Sequence, residues 1–217
     1  MARPLLHDYF RSSAAYRVRI ALKLKGVDYD STSVDLRTGA QRSDAYRALN
    51  PQGFVPMLEM DGLKLVQSLA IIDYLDAAIP EPQLVPRDPA ERAHVLAMAL
   101  VIAADIHPLN NLRVLQYLEA EFATDAAPAD AVKAAWIARW IGDGFRALEA
   151  MAAPRAGRFL FGDTPGLADI CLVPQMYNAR RFGVPLDAYP ILLRADAEAT
   201  ALDAFAAAHP DRAEPSA

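Results

Sequence analysis

One cysteine in 217 residues leaves nothing to pair with. Cys171 alone excludes an internal disulfide framework, and no cysteine stands near the first helix to make a CxxC redox centre; this usage fits a reducing compartment. Histidine is scarce as well, and His7, His94, His107 and His209 lie too far apart to show a ligand spacing, so no metal is expected. Positive charge is outnumbered, with 22 Lys and Arg against 27 Asp and Glu and a formal net charge of −5. That balance excludes a broadly basic nucleic-acid face, and an anionic small molecule would have to be met by local arginines. Long apolar runs are missing: Leu96 to Ala104 spans about half of what a membrane helix needs. The opening Met-Ala-Arg-Pro leads into only a few apolar residues before His7, Asp8 and Arg11, which is no export signal. The expectation is a cytoplasmic soluble protein without membrane or nucleic-acid partners. What is plentiful is core material, since 53% of residues are hydrophobic and 23% charged, enough for one large domain or two small ones.

Residues 4–10 read as a strand. Ala14 to Lys25 carries helical spacing, with Val18, Ala21 and Leu22 on one side and Gly26 at the C-cap. Tyr29 to Leu36 reads as a second strand, parallel to the first through a right-handed crossover. Arg37 to Arg42 is loop, and Asp44 to Leu49 is a short helix ended by Asn50-Pro51. Pro56 sits inside an apolar strand start where a ladder donor is lost, so the backbone there must be special, a cis Val55–Pro56 bond being one solution. Asp61-Gly62 marks a hairpin between residues 57–60 and 63–66. Gln67-Ser68 opens another helix through Ile71, Ile72 and Leu75, with Ser68 as its expected cap. This half is α/β with the order β-α-β-α-β-β-α. Prolines 80, 82, 86 and 89 define a stiff linker. Beyond it, residues 90–122, 129–153, 167–181 and 189–209 all read as helix, with a fraying tail after Pro210. The expected division is residues 1–79, a linker at 80–89, and an all-helical domain at 90–217.

Three places could carry chemistry. Ser12 and Ser13 fall at the mouth of the first helix, where a serine caps orphan N–H groups ahead of a solvated arginine face. The same strand-to-helix turn is also a natural anion seat. His107, Asn110 and Asn111 share one face of a long helix bent by Pro108, either as satisfied polar groups at a kink or as the lining of a ligand pocket. Arg180-Arg181 closes a helix, where cations suit the dipole. Asp169, three residues after Gly166, forms half of a capping box and has a folding role.

Taken together, Ser12-Ser13-x-x-Tyr16-Arg17-Val18-Arg19-Ile20-Ala21-Leu22, Asn50-Pro51 with Val55-Pro56, Gln67-Ser68-x-Ala70-Ile71-Ile72 and His107-Pro108-x-Asn110-Asn111 resemble the zeta class of glutathione transferases. Gly162-Asp163-Thr164-Pro165-x-Leu167-Ala168-Asp169, Val173-Pro174-Gln175 and Ala179-Arg180-Arg181-Phe182 extend the match nearly end to end. The resemblance implies a thioredoxin-like N-terminal domain with cis Pro56, an all-α C-terminal domain, a homodimer, and glutathione bound between the domains. It implies that Ser12 hydrogen-bonds the glutathione sulfur, that the main chain at Val55 pairs with the tripeptide, and that Gln67 and Ser68 hold its γ-glutamyl end. Ser13, Gln41, His107 and Asn111 match further contact positions, and Arg11 and Arg181 match basic positions associated with an acidic co-substrate. The implied activity is glutathione-dependent cis–trans isomerisation of a maleyl diketo acid in aromatic amino-acid catabolism. Maleylacetoacetate is favoured over maleylpyruvate because Leu112 is apolar; a glutathione-consuming transferase or dehalogenase of small α-halo acids is the other enzyme reading. One departure matters: many zeta enzymes carry cysteine after the serine pair, and here the residue is Ala14.

Overall fold

A computed structural model describes residues 3–125 and 127–214. The chain divides into two compact units, Met1–Val85 with Thr200–Ala217, and Pro86–Ala199.

The first unit is built on a four-stranded sheet in the order β2-β1-β3-β4. Strands β1 (Leu5–Asp8) and β2 (Asp30–Ser33) pair in parallel, joined by α1 (Ser13–Leu24). After a short α2 (Asp44–Leu49), β3 (Met57–Met60) and β4 (Leu63–Val66) form the expected hairpin, with Leu6 opposite Leu58 and Leu58 opposite Leu65. Asp61 and Gly62 both have positive φ, 52° and 77°, the backbone a tight two-residue hairpin turn requires. Helix α3 (Ser68–Ala78) packs beside α1. The end of α1 follows its sequence signal: the N–H of Gly26 bonds Lys23 O and that of Val27 bonds Leu22 O, closing the orphan carbonyls in a Schellman arrangement.

Several expectations are corrected. Both early strands are shorter than their apolar pattern, because only four residues of each find ladder partners. The arginine face of α1 is not solvated: Arg17 and Arg19 are 1% and 2% exposed. Helix α1 is covered on two sides, by α3 and by the returning chain terminus, a feature that helical spacing cannot reveal. Within the proline-rich stretch, Lys25 Nζ donates to Asp76, Ile79 O and Pro82 O at 2.6 Å each, and Asp76 accepts from the N–H groups of Leu84 and Val85. The first half of that stretch is therefore pinned to the first unit. The tail after Pro210 does not simply fray, since α11 (Pro210–Ala213) brings Ala213 against the cluster of Tyr9, Phe10, Val34, Tyr46 and Val55.

In the second unit, Asp88 caps α4 (Pro89–Leu100) by accepting from the N–H groups of Ala90 and Glu91. The single long helix expected here is interrupted. A π-helical segment, Val101–Ile106, leads into the short α5 (His107–Leu109), and α6 (Leu112–Phe122) starts afresh. Pro108 has no N–H to return to the preceding turn, and the widened segment instead sends the His107 N–H to Ile102 O. By length and composition Pro89–Phe122 is apolar enough to cross a bilayer, a longer stretch than Leu96 to Ala104; these elements nevertheless place Val95, Met98, Ile102, Ile106, Leu115 and Leu118 in a protein core. Helix α7 (Ala129–Ala152) packs on α6 and on the π segment, and α8 (Leu167–Arg181) packs on α4. The last predicted helix is two, α9 (Pro190–Thr200) and α10 (Asp203–Ala207).

Asp169 exceeds its expected role, accepting from Gly166 N–H at 3.0 Å and also from Leu160 N–H at 2.9 Å. Burial pushes its carboxyl up to about 6, against the pull of those N–H groups. The folded chain holds this proton from about pH 4 to about pH 6, where the unfolded chain has released it. The group's contribution is therefore complete below about pH 4 and lost as pH rises through about 6. At about 1.4 kcal/mol per pKa unit the loss is on the order of 3 kcal/mol. Urea unfolding of the wild type should show this falling segment, and Asp169→Asn, which does not titrate, should lack it.

A methyl group added at Gly144 on α7 would collide with the side chain of Ile106, itself 1% exposed. Gly144→Ala should therefore destabilise by about 1 to 2 kcal/mol despite better helix propensity. Gly142, whose added methyl would meet only the Tyr189 hydroxyl at 3.7 Å, should instead gain about 0.5 to 1 kcal/mol on mutation to Ala. Denaturant midpoints of the two variants check both statements.

Candidate functional site

In the first unit the chain leaves β1 at Asp8 and turns back through Tyr9, Phe10 and Arg11 into α1. Ser12 N–H closes this turn on Tyr9 O at 2.8 Å, and Ser12 Oγ accepts from Ala15 N–H at 3.2 Å. The cap is thus real. It uses only an acceptor lone pair of the hydroxyl, and the O–H proton stays available to a further acceptor. Accepting from Ala15 also polarises that O–H, so the cap leaves a donor that could meet an anion. Ser13 is buried and Ala14 half-buried. Arg11 is exposed, with its guanidinium 4.9 Å from the centre of the Phe10 ring.

The turn is held from behind by residues the sequence reading missed. Arg19 Nη1 reaches both Asp8 oxygens at 2.8 Å, Nη2 donates to Phe10 O at 3.0 Å, and Nε donates to Ala208 O at 3.0 Å. Burial pushes the Asp8 carboxyl up, while Arg19 and the Tyr9 N–H pull it down. The one available signal was an acid at a strand end followed by Arg-x-Arg in the next helix, and nothing local marks those arginines as buried.

Val55 lies in the same buried cluster as Tyr9 and Phe10, which sets the cis Val55–Pro56 bond beside the Ser12 turn. The carbonyl before it is doubly held, by Tyr46 Oη at 2.7 Å and Asn50 Nδ2 at 2.8 Å on Phe54 O. Burial pushes the Tyr46 phenol up to about 12, so it stays protonated as a donor. Gly53 has φ +64°, and an added methyl would lie 2.8 Å from Gln41 O; glycine alone allows that approach. Gln41 is 7% exposed, and its Oε1 is buried with no hydrogen-bond partner among the described residues.

Gln67, not Ser68, is the residue before α3, and its φ of +67° with ψ of 114° is costly for a side chain with a Cβ. Its Nε2 donates to Gln52 Oε1 at 2.7 Å. Ser68 is the first helical residue, 6% exposed, with Arg17 Nη1 3.4 Å from its Oγ. Arg17 thus ties Ser68 to α1, and Arg19 and the shared cluster tie Val55 to the turn that carries Ser12.

The second unit carries His107, Asn111 and Arg181. They are not arranged as expected, because the helix that should align His107, Asn110 and Asn111 on one face ends between them. His107 begins α5, Asn110 Nδ2 donates back to Ile106 O at 3.1 Å, and Asn111 caps α6 by accepting from Arg113 N–H at 3.3 Å. Trp136 Nε1 on α7 braces the turn by donating to Leu109 O at 2.9 Å. Of the arginine pair, Arg180 is committed to Asp196 at 2.6 Å, whereas Arg181 is exposed with its guanidinium 5.0 Å from the centre of the Phe182 ring. Cys171 is fully buried. Among the described residues, no group of three His, Cys, Asp or Glu could hold a metal ion.

Comparison with known proteins gives this arrangement a family. Residues 11–78 match the glutathione S-transferase N-terminal domain and residues 134–210 the C-terminal domain. The chain is 47% identical to the maleylacetoacetate isomerase of Rhizobium meliloti (strain 1021), covering 97% of this chain and 98% of that one. A holo structure of maleyl pyruvate isomerase, described as a bacterial glutathione S-transferase in the zeta class, matches with a TM-score of 0.93 at 45% identity, over 98% of this chain and 100% of that one. Maleylacetoacetate isomerase from Anaeromyxobacter dehalogenans 2CP-1 with bound GSH matches with a TM-score of 0.87 at 44% identity, over 99% and 98%. Two family domains and near-complete coverage of such relatives lead to one conclusion: this chain belongs to the glutathione S-transferase family.

Proposed function

We propose that the protein is a zeta-class, glutathione-dependent isomerase that converts maleylacetoacetate to fumarylacetoacetate. The observation that carries this reading is Ser12: a capping hydroxyl whose proton is still available, at the N-terminus of a buried helix. The rest of the first unit suits a tripeptide. Gln41 Oε1 offers a buried acceptor with no partner among the described residues, Val55 offers main chain beside cis Pro56, and Gln67 and Ser68 stand at the positive end of α3. His107 and Asn111 are assigned further polar contacts with the tripeptide because they match the family's contact positions.

When bound, glutathione would supply a thiolate for reversible addition to the activated cis double bond, with elimination after rotation returning it intact. The protein's part is to hold charge. A hydrogen bond from Ser12 to an anionic sulfur contributes about 1.5 to 3 kcal/mol, and the helix end about 0.3 to 1 more. At about 1.4 kcal/mol per pKa unit, that lowers a thiol from about 8.5 by one to two units, so most bound sulfur is nucleophilic at neutral pH. Arg11 and Arg181, both exposed, grip the substrate carboxylates and the negative charge that develops beyond the double bond. With Ala14 beside the serine pair and Cys171 buried, the chain offers no thiol of its own in the Ser12 turn, which supports a borrowed sulfur. Maleylpyruvate is the second reading, since relatives acting on either substrate match at 47% and 45% identity. The apolar Leu112 at the start of α6 favours the larger, less acidic substrate. A homodimer and a cytoplasmic setting belong to the same proposal.

Turnover of both maleyl acids, followed with glutathione concentration, tests the reading: the isomerase leaves glutathione unchanged, and net consumption would reassign it as a conjugating or dehalogenating enzyme. Ser12→Ala should lower kcat about tenfold or more and raise the bound thiol's titration midpoint, with a smaller change in glutathione affinity. Arg181→Met should raise KM for the diketo acid by about tenfold or more while leaving glutathione binding alone; an unchanged KM would remove Arg181 from the site.

A further inference from the structure

We propose that Arg19 is a positioning residue for Ser12, and that through it the C-terminal segment α10–α11 forms part of the frame of the reaction. This rests on the reading of Ser12 as the group that holds the sulfur.

All three nitrogens of the Arg19 guanidinium are occupied, each on a different part of the chain: the end of β1 at Asp8, the turn at Phe10 and the C-terminal segment at Ala208. Phe10 is two residues before Ser12, and the Ser12 N–H is itself bonded to Tyr9 O. The consecutive carbonyls of Tyr9 and Phe10 are thus fixed, one by Ser12 and one by Arg19. The Ala208 bond joins residues 189 apart in sequence. It is reinforced by the Tyr16 ring, which lies edge-on to His209 at 6.1 Å and beneath the Arg19 guanidinium at 5.1 Å. Ala213 packs against the cluster that contains Tyr9 and Phe10. A planar fork can serve three acceptors in fixed directions, which the point charge of lysine cannot. A hydroxyl that must meet a sulfur anion at hydrogen-bond distance tolerates little drift in its turn. Loosening the fork should therefore leave tripeptide binding largely intact and weaken the one bond that sets the sulfur's ionisation.

The test is the ionisation of glutathione bound to the full-length chain, read as ultraviolet thiolate absorbance against pH. It compares wild type, Arg19→Lys, Ser12→Ala and the double variant. Asp8→Asn, which keeps the guanidinium and its two carbonyl acceptors, is the milder variant read in the same way, and circular dichroism selects the folded ones. Arg19→Lys should raise the titration midpoint by about one pH unit and lower kcat at neutral pH by about tenfold, with glutathione Kd within about threefold. In the Ser12→Ala background the substitution should have no further effect on the midpoint, because the group through which it acts is gone. A folded Arg19→Lys or Asp8→Asn that titrates like wild type overturns the proposal, as does a shift that persists in full without Ser12. Ser12→Ala titrating like wild type is a different failure, and it removes the underlying reading of Ser12.

Discussion

The first unit depends on one dry ion pair. Asp8 and Arg19 are 3% and 2% exposed, and taking two charges out of water costs several kcal/mol each unless the geometry and the remaining hydrogen bonds are good. Here every guanidinium nitrogen is bonded, which ties the Asp8–Phe10 turn and the C-terminal segment to α1 at one point. Such a pair contributes little net stability compared with an apolar replacement, but it is unforgiving of displacement, because a buried charge without its partner is far more costly than either alternative. Its value lies in specifying where the β1-to-α1 turn sits.

That turn concentrates several demands on few atoms. Ser12 satisfies one orphan N–H of α1 and still has a proton to give, so folding and the proposed chemistry would draw on opposite sides of one hydroxyl. Nearby, the backbone departs from ordinary geometry at Gln67, whose positive φ is held by what surrounds it. Arg17 links that strained residue's neighbour, Ser68, back to α1. In the second unit a comparable role falls to packing: Gly144 makes room for Ile106 of the π segment, and Trp136 fixes Leu109, between His107 and Asn111. In each unit the candidate residues are placed by others behind them.

Short-range patterns were readable in the chain itself. The Asp61-Gly62 hairpin, the Gly26 helix end, the Ser12 cap, the Asp169 bonds to the start of α8 and the β-α-β-α-β-β-α order all follow from local backbone chemistry and apolar spacing. The motif series was enough to point to the family. Less legible were features whose cause lies elsewhere in the chain. The interruption after Leu100 runs up to Pro108, and its Ile106 packs against Gly144 of a different helix, so a helical period running through Asn111 gave no warning of it.

Sequence alone therefore determined the order of strands and helices in the first unit, which hydroxyl stands at the helix mouth, and that no cysteine stands beside it, because these depend on neighbours within a few residues. Only the tertiary structure decided that Arg17 and Arg19 are buried rather than solvated, and that the chain terminus returns to hold the Ser12 turn. The physical reason is that a guanidinium's place is set by where its acceptors meet. Here those acceptors come from a strand end, a turn and a carbonyl 189 residues away, brought to one point only by folding.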